Sequence, residues 1–311
     1  MSGTPIRHFF ARRFCIDRRL ADTTKTTYEA SLSTLGEFAT THQDLQTDDP
    51  DVELLTDEIL SEWIIWCEDQ TTPKGEKRWA SRTIHGKRAD VLAILRYAAI
   101  KLLRPEPGVV RPVNVPRHIP RAWSRDDFEK VLAACNTLAG YLPNGLPARL
   151  YFRACYEVAF YTGLRRGDLW RLNILTDVSA DGTIATVQGK TMEGHVTAIP
   201  PETRKNLLIM YYRLKRDGEV HAELPLRWPA NPRAIYDWTH KICKASGVDE
   251  SGAFQRIRRT GATDLHKHHP GKAKYYLGHR TDGLAERNYI DPRFCPIVTP
   301  DPLADHRRRP A

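Results

Sequence analysis

Apolar residues recur at helical spacing through the first hundred positions of the chain. One run covers Pro5 to Leu20, and a second covers about Thr24 to Thr41 with Tyr28, Leu32, Leu35 and Phe38 on one side and threonines ahead of it as caps. A third spans Thr56 to Gln70 with Ile59, Trp63 and Trp66, and a fourth spans Ser81 to Leu103 with Ile84, Val91, Leu95, Ala98 and Leu102. Each stripe is a helix face that must be buried against another element, so the four predict a compact helical bundle over 1–103. The period then stops. Arg104 to Pro120 contains five prolines (Pro105, Pro107, Pro112, Pro116, Pro120), which predict an extended, semi-rigid linker over 104–122.

A fresh helical period opens at Ser124, where Ser-Arg-Asp-Asp offers an N-cap ahead of Phe128, Val131 and Leu132. Leu146 to Thr162 reads as a buried helix that Gly163 ends. From Leu175 the pattern becomes strand-like: Asp181-Gly182 signals a turn, Thr183 to Val187 is β-branched and apolar, and His195 to Ile199 follows a second turn. Helices resume after Pro200-Pro201-Glu202 and over Ile235 to Ala245. The expected fold class is mainly α with a small β-hairpin (α+β), its second domain covering 123–311.

At 311 residues the chain is long enough for two cores. Its six cysteines are widely spaced without a CxxC pair, which indicates neither a zinc site nor a disulfide framework and predicts a reduced, cytoplasmic protein. No apolar run has the length of a signal peptide core or a membrane span, so neither secretion nor membrane insertion is expected. A net charge of +9 favours a polyanionic partner, most often nucleic acid, and with it a nucleoid-associated location. The charge is uneven. Residues 41–70 hold ten acids and no Lys or Arg, a face expected to point away from DNA, whereas residues 251–290 hold eight Lys/Arg against three acids. Arg82, His85, Lys87 and Arg88, at the start of the fourth helix, are placed to meet a phosphate backbone, or else form a solvated helix face.

The basic segment ends in LGHRTDGLAERNY, which sets His279 ten residues before Tyr289. A tyrosine hydroxyl among cations can attack phosphorus, because the cations hold the phosphate still; a Tyr that caps a helix on a basic surface is the alternative. What decides is whether further phosphate clamps exist. Leu164-Arg165-Arg166-Gly167-Asp168 can present a guanidinium to a phosphate with an acid to orient it, or can be an exposed pair with a local salt bridge. Lys190, at the second turn, can reach into a cleft as a proton donor or simply face solvent. Gly189-Lys190-Thr191 is not a nucleotide-binding loop, since the earlier glycine it needs is Ile184. Phe254 to Thr263 carries Gln255, Arg256, Arg258 and Arg259. His266, His268 and His269 follow, with no acid or Cys at a convincing spacing, so no metal site is expected.

Taken together, Thr162-Gly163-Leu164-Arg165 with Asp168, the hairpin Lys190 followed by Ala198-Ile199-Pro200, Arg258-Arg259-Thr260-Gly261-Ala262-Thr263, and Leu277-Gly278-His279 with Tyr289 resemble the tyrosine recombinase (phage integrase) family in content and order. The resemblance spans nearly the whole chain and implies an N-terminal helical core-DNA-binding domain over 1–103, a linker, and a catalytic domain with a C-terminal tail. It implies site-specific DNA strand breakage and rejoining through a 3′-phosphotyrosyl intermediate on Tyr289, with no metal, cofactor or ATP. Arg165 and Arg258 would hold the non-bridging oxygens, Lys190 would protonate the leaving 5′-oxygen, His279 would donate to a non-bridging oxygen, and Asp168 would brace Arg165. Arg166, Arg256, Arg259 and Arg280 join the four helix-borne residues as expected DNA contacts. The partner would be double-stranded recombination sites held by a homotetramer. For the tail after Tyr289, docking on a neighbouring protomer and disorder both stay open.

One position departs from the family pattern: Gln255 stands where a His usually precedes the second arginine by three residues. An amide cannot accept a proton as imidazole does. It can still hydrogen-bond a phosphate oxygen or the attacking hydroxyl, in place of the usual base or second donor, so that either the chemical step is slower or the protein is a DNA-binding relative that does not cut. A type IB topoisomerase-like relaxing enzyme, which shares the Tyr and Arg chemistry, is the other rival.

Overall fold

The computed structural model describes residues 3–116, 118–249, 252–279 and 283–295. Arg280 and the tail beyond 295 lie outside the described residues. The chain divides into two compact units, Met1–Arg117 and His118–Ala311.

In the first unit, α1 (Ile6–Phe9) and α2 (Cys15–Asp17) flank a π-helical stretch, Phe10–Phe14. Phe9, Phe10 and Phe14 are all buried in the first core. Three longer helices complete the bundle: α3 (Asp22–Thr41), α4 (Asp57–Asp69) and α5 (Ser81–Lys101). Thr56 caps α4 through its side chain. The threonine cap expected for α3 does not form; Ala21 occupies that position, and Thr26 and Thr27 bond back to carbonyls four residues earlier instead.

The acidic stretch and the prolines turn out to be one construction. Asp57 accepts the Gly108 N–H at 2.8 Å, Glu68 pairs with Arg111 at 3.1 Å, and Val110 and Val113 are buried in the first core. Arg88 adds Nε and Nη2 hydrogen bonds to the carbonyls of Arg111 and Val110. The proline-rich segment through this region is therefore a strap fastened to the first unit.

The second unit is arranged around α7 (Ala148–Thr162), buried on almost every side and packed against α6 (Arg125–Asn136), α9 (Pro201–Arg216) and α11 (Ala253–His268). Ser124 caps α6 by accepting from the Asp127 N–H at 3.0 Å. Tyr151, Phe152 and Tyr156 of α7 are fully buried, each contributing about 1.5–3 kcal/mol of apolar transfer free energy. The two tyrosine hydroxyls stay paired, to the Leu226 carbonyl and to Thr239. After the short α8 (Arg166–Leu169) comes an antiparallel hairpin, β1 (Thr183–Gln188) and β2 (Glu193–Ala198), with Gln188 opposite Glu193 and Gly189 to Met192 as its turn. The remaining helices are α10 (Ala234–Ser246), α12 (Ala273–Leu277) and α13 (Leu284–Asn288). Among the described residues no helix is long and apolar enough to cross a membrane.

Candidate active site

Arg165, Lys190, Gln255 with Arg258, and Tyr289, from four separated stretches of the second unit, meet at one cavity of about 500 Å³ that Arg166 and Tyr236 also line. Each reaches it by a different local device. Gly163 ends α7 in the left-handed conformation (φ +61°), so the chain turns sharply and delivers Arg165 two residues later. A Cβ at Gly163 would also strike the Tyr276 ring at 2.6–2.7 Å and its backbone carbonyl oxygen at 2.8 Å. The hairpin turn carries exposed Lys190. Gln255 and Arg258, three residues apart, share a face of α11, and α13 ends where Tyr289 begins.

Arg258 is the anchor. It is buried, its Nη1 donates to the Gly163 carbonyl, and its Nη2 donates to the Leu277 carbonyl at 2.9 Å. The guanidinium lies 5.1 Å from the Tyr289 ring centre. Burial pushes its pKa down, yet an arginine remains charged at any physiological pH. Arg165 donates from Nη1 to the Gln188 side-chain oxygen. Among the described residues, neither arginine forms an ion pair with a carboxylate, so both cations are held by neutral oxygens. The His279 ring is 5.1 Å from that of Tyr289. Burial first, then repulsion by Arg258 and Arg165, pushes His279 down to about 4, so its ring is neutral near pH 7. Among the described residues, His279 Nδ1 and Arg258 Nε are buried with no hydrogen-bond partner.

Several expected site residues do something else. Asp168 does not brace Arg165: its Oδ1 accepts from Arg171 Nη2 at 2.5 Å and from the Gly189 N–H at 2.9 Å, fixing the root of the hairpin turn. Lys87 is not a phosphate contact; it is buried, bonded to Thr34 Oγ1 at 2.7 Å and the Ala30 carbonyl at 3.1 Å, with its pKa lowered by burial. Arg88 is occupied by the strap. Arg256 is buried and paired with Asp249. Arg82 and His85 are exposed on α5. Arg166 stands at the cavity with Nη1 on the Tyr236 hydroxyl at 2.8 Å, its guanidinium 5.0 Å from the Trp170 ring and 5.4 Å from that of Tyr236. Arg259 is half-buried, and burial lowers its pKa. Of the other tyrosines nearby, Tyr276 has its hydroxyl committed to the Phe160 carbonyl at 2.5 Å and its pKa raised by burial, while Tyr275 is 63% exposed beside Lys272 and Lys274. Tyr236 and Tyr289 both line the cavity with the two arginines; the Tyr236 hydroxyl is taken by Arg166, and the Arg258 guanidinium lies over the Tyr289 ring.

Sequence reasoning passed over Gln188, which is fully buried at the end of β1. Its signal was present: Ile184, Thr186 and Gln188 share the inward parity of the strand, and a glutamine on that face needs a buried partner.

In this mainly helical unit two arginines, a lysine and a phenol line one cavity, with the His279 imidazole beside the phenol. The sequence profile of the phage integrase family matches residues 123–294, more than half of the chain. This protein belongs to that family, the tyrosine recombinases. Solved structures of similar fold include lambda integrase (75–356) as a dimer bound to a COC′ core site, 17% identical with a TM-score of 0.66, the match covering 96% of this chain and 99% of that one. XerH bound to a palindromic difH substrate is 16% identical with a TM-score of 0.67, over 90% of this chain and 78% of that one. The Tn1549 transposon integrase in complex with a circular intermediate DNA is 14% identical with a TM-score of 0.67, over 96% of each. No curated protein sequence matches the chain.

Proposed function

We propose that this protein is a site-specific DNA recombinase that breaks and rejoins strands through Tyr289. The observation that carries the reading is the convergence of Arg165, Lys190, Arg258 and Tyr289 on one cavity, with the His279 ring against the phenol. Tyr289 Oη would form a bond to the scissile phosphorus as the bond to the 5′-oxygen breaks, leaving a 3′-phosphotyrosine and a free 5′-hydroxyl. The covalent ester conserves the bond energy, so rejoining needs no ATP. Arg165 and Arg258, unspent on carboxylates, would offset charge growing on the non-bridging oxygens, a role in which losing one donor costs on the order of 10²-fold or more. Arg258 Nε, an N–H without a partner among the described residues, supplies further donor capacity there. Lys190 would protonate the departing oxygen, and the neutral His279 ring still has an N–H to give. Gln255 lines the cavity but cannot take the phenolic proton.

The unit Met1–Arg117 would bind the DNA flank, with Arg82 and His85 exposed on α5. Exchange between two duplexes calls for four protomers, and lambda integrase has been seen as a tetramer bound to a Holliday junction. The test uses nicked duplexes tiling the DNA that flanks the encoding gene. A covalent protein–DNA adduct that disappears in Tyr289→Phe supports the recombinase. Binding without an adduct supports the non-cutting relative suggested by Gln255, and relaxation of supercoiled plasmids of unrelated sequence at equal efficiency supports the topoisomerase-like rival.

A further inference from the structure

We propose that Gln188 is a positioning residue of this site: a neutral brace that aims Arg165 without cancelling its charge. The inference rests on the recombinase reading above. Gln188 is fully buried, and both ends of its amide are used: Oε1 accepts from Arg165 Nη1, and Nε2 donates to the Leu277 carbonyl at 3.3 Å. That same carbonyl accepts from Arg258 Nη2 at 2.9 Å. One amide and one backbone oxygen therefore tie the two guanidiniums together.

A carboxylate at this position would grip Arg165 more strongly, because charge-assisted hydrogen bonds are about twice as strong as neutral ones. It would also neutralise the cation that has to meet the phosphate, and it would set an anion against the Leu277 carbonyl oxygen in a water-poor site. The amide supplies the acceptor Arg165 needs and the donor Leu277 needs at no cost in charge. The nearest alternative brace, Asp168, is turned away to Arg171 and the Gly189 N–H. Gln188 lies two residues before Lys190, so Asp168 and Gln188 together fix the root of the turn that carries the proposed proton donor. Gly278 completes the arrangement: it sits at φ +63°, and a Cβ there would collide with the Gln188 amide nitrogen.

The experiment compares the full-length native protein with Gln188→Glu and Gln188→Met on the nicked duplex that gives most adduct with the native protein. It reads the single-turnover adduct rate, the DNA dissociation constant and the melting temperature. The expected result is a rate lower by about 10²-fold in Gln188→Glu and by 10-fold or more in Gln188→Met, with DNA affinity within about threefold of native. A second substrate carries a methylphosphonate at the scissile position, which removes the negative charge Arg165 would hold; on it the defect of both variants should shrink below threefold. Gln188→Met, close in volume and uncharged, separates loss of the brace from misfolding, since its melting temperature is read alongside. Rates within threefold of native in both variants, or a defect of equal size on the methylphosphonate, overturn the proposal while leaving the recombinase reading intact. Absence of any adduct with the native protein overturns the recombinase reading itself, and this inference with it.

Discussion

Acidification tests the electrostatics of the cavity through a single ring. His279 stands at about 4 in the folded protein against 6.5 as an unstrained imidazole, because burial and the two arginines disfavour its cation. Near neutral pH the ring is uncharged in both folded and unfolded chains. Between 6.5 and 4 the unfolded chain binds a proton that the folded one refuses, so stability falls as the pH drops through that window and levels off below it. By about pH 5 the unscreened cost is ~2 kcal/mol, and discounting for the ring's partial exposure leaves about 1 kcal/mol. Denaturant unfolding of the native protein and of His279→Gln, near neutral pH and at about pH 5, should show the native protein losing that much more than the variant. Buried His195, whose pKa burial also lowers, contributes in the same direction but equally to both proteins. An NMR titration of the ring provides the direct reading. Equal losses in the two proteins, or a His279 titration at 6.5 or above, would refute the placement of both arginine charges beside it.

Two further predictions concern the proposed nucleophile and the amide at position 255. Replacing Gln255 by His should raise the adduct rate on the flank-derived duplexes by about 10-fold or more, because an imidazole restores proton acceptance at the cavity wall; an unchanged or lower rate means that the site has adapted to the amide. Tyr276→Phe should leave adduct formation in place while costing about 1–2 kcal/mol in unfolding experiments, since the Phe160 carbonyl loses its buried hydroxyl donor. Loss of the adduct with stability unchanged would move the nucleophile from Tyr289 to Tyr276.

Much of the fold was legible because it depends on local chemistry. The cap at Ser124, the stop at Gly163 and the period-two hairpin follow from side chains acting on their own backbone neighbours. The boxes of the site could be read for a similar reason: glycine at 163 and at 278 is demanded by positive φ and close packing, so these letters carry geometry. What could not be read was the pairing of cations. Lys87, Arg88 and Arg256 look like DNA contacts in one dimension, but the first is consumed by α3, the second by the strap and the third by Asp249. Asp168 sits three residues from Arg165 in sequence, yet Arg165 immediately precedes the short helix α8, and the carboxylate faces the hairpin instead. Partners fixed by long-range packing leave no local trace, and Gln188, whose partners are 23 and 89 residues away, is the clearest case.

The second arginine rests on two carbonyl oxygens, those of residues 163 and 277, and a carbonyl is present whatever amino acid occupies the position. Point mutation of either residue cannot delete the acceptor; only a change in the path of the main chain can. The cradle for that guanidinium is thus written in backbone trajectory rather than in side-chain identity. Such a centre can survive extensive turnover of the surrounding letters, provided that the bends holding those two oxygens stay where they are.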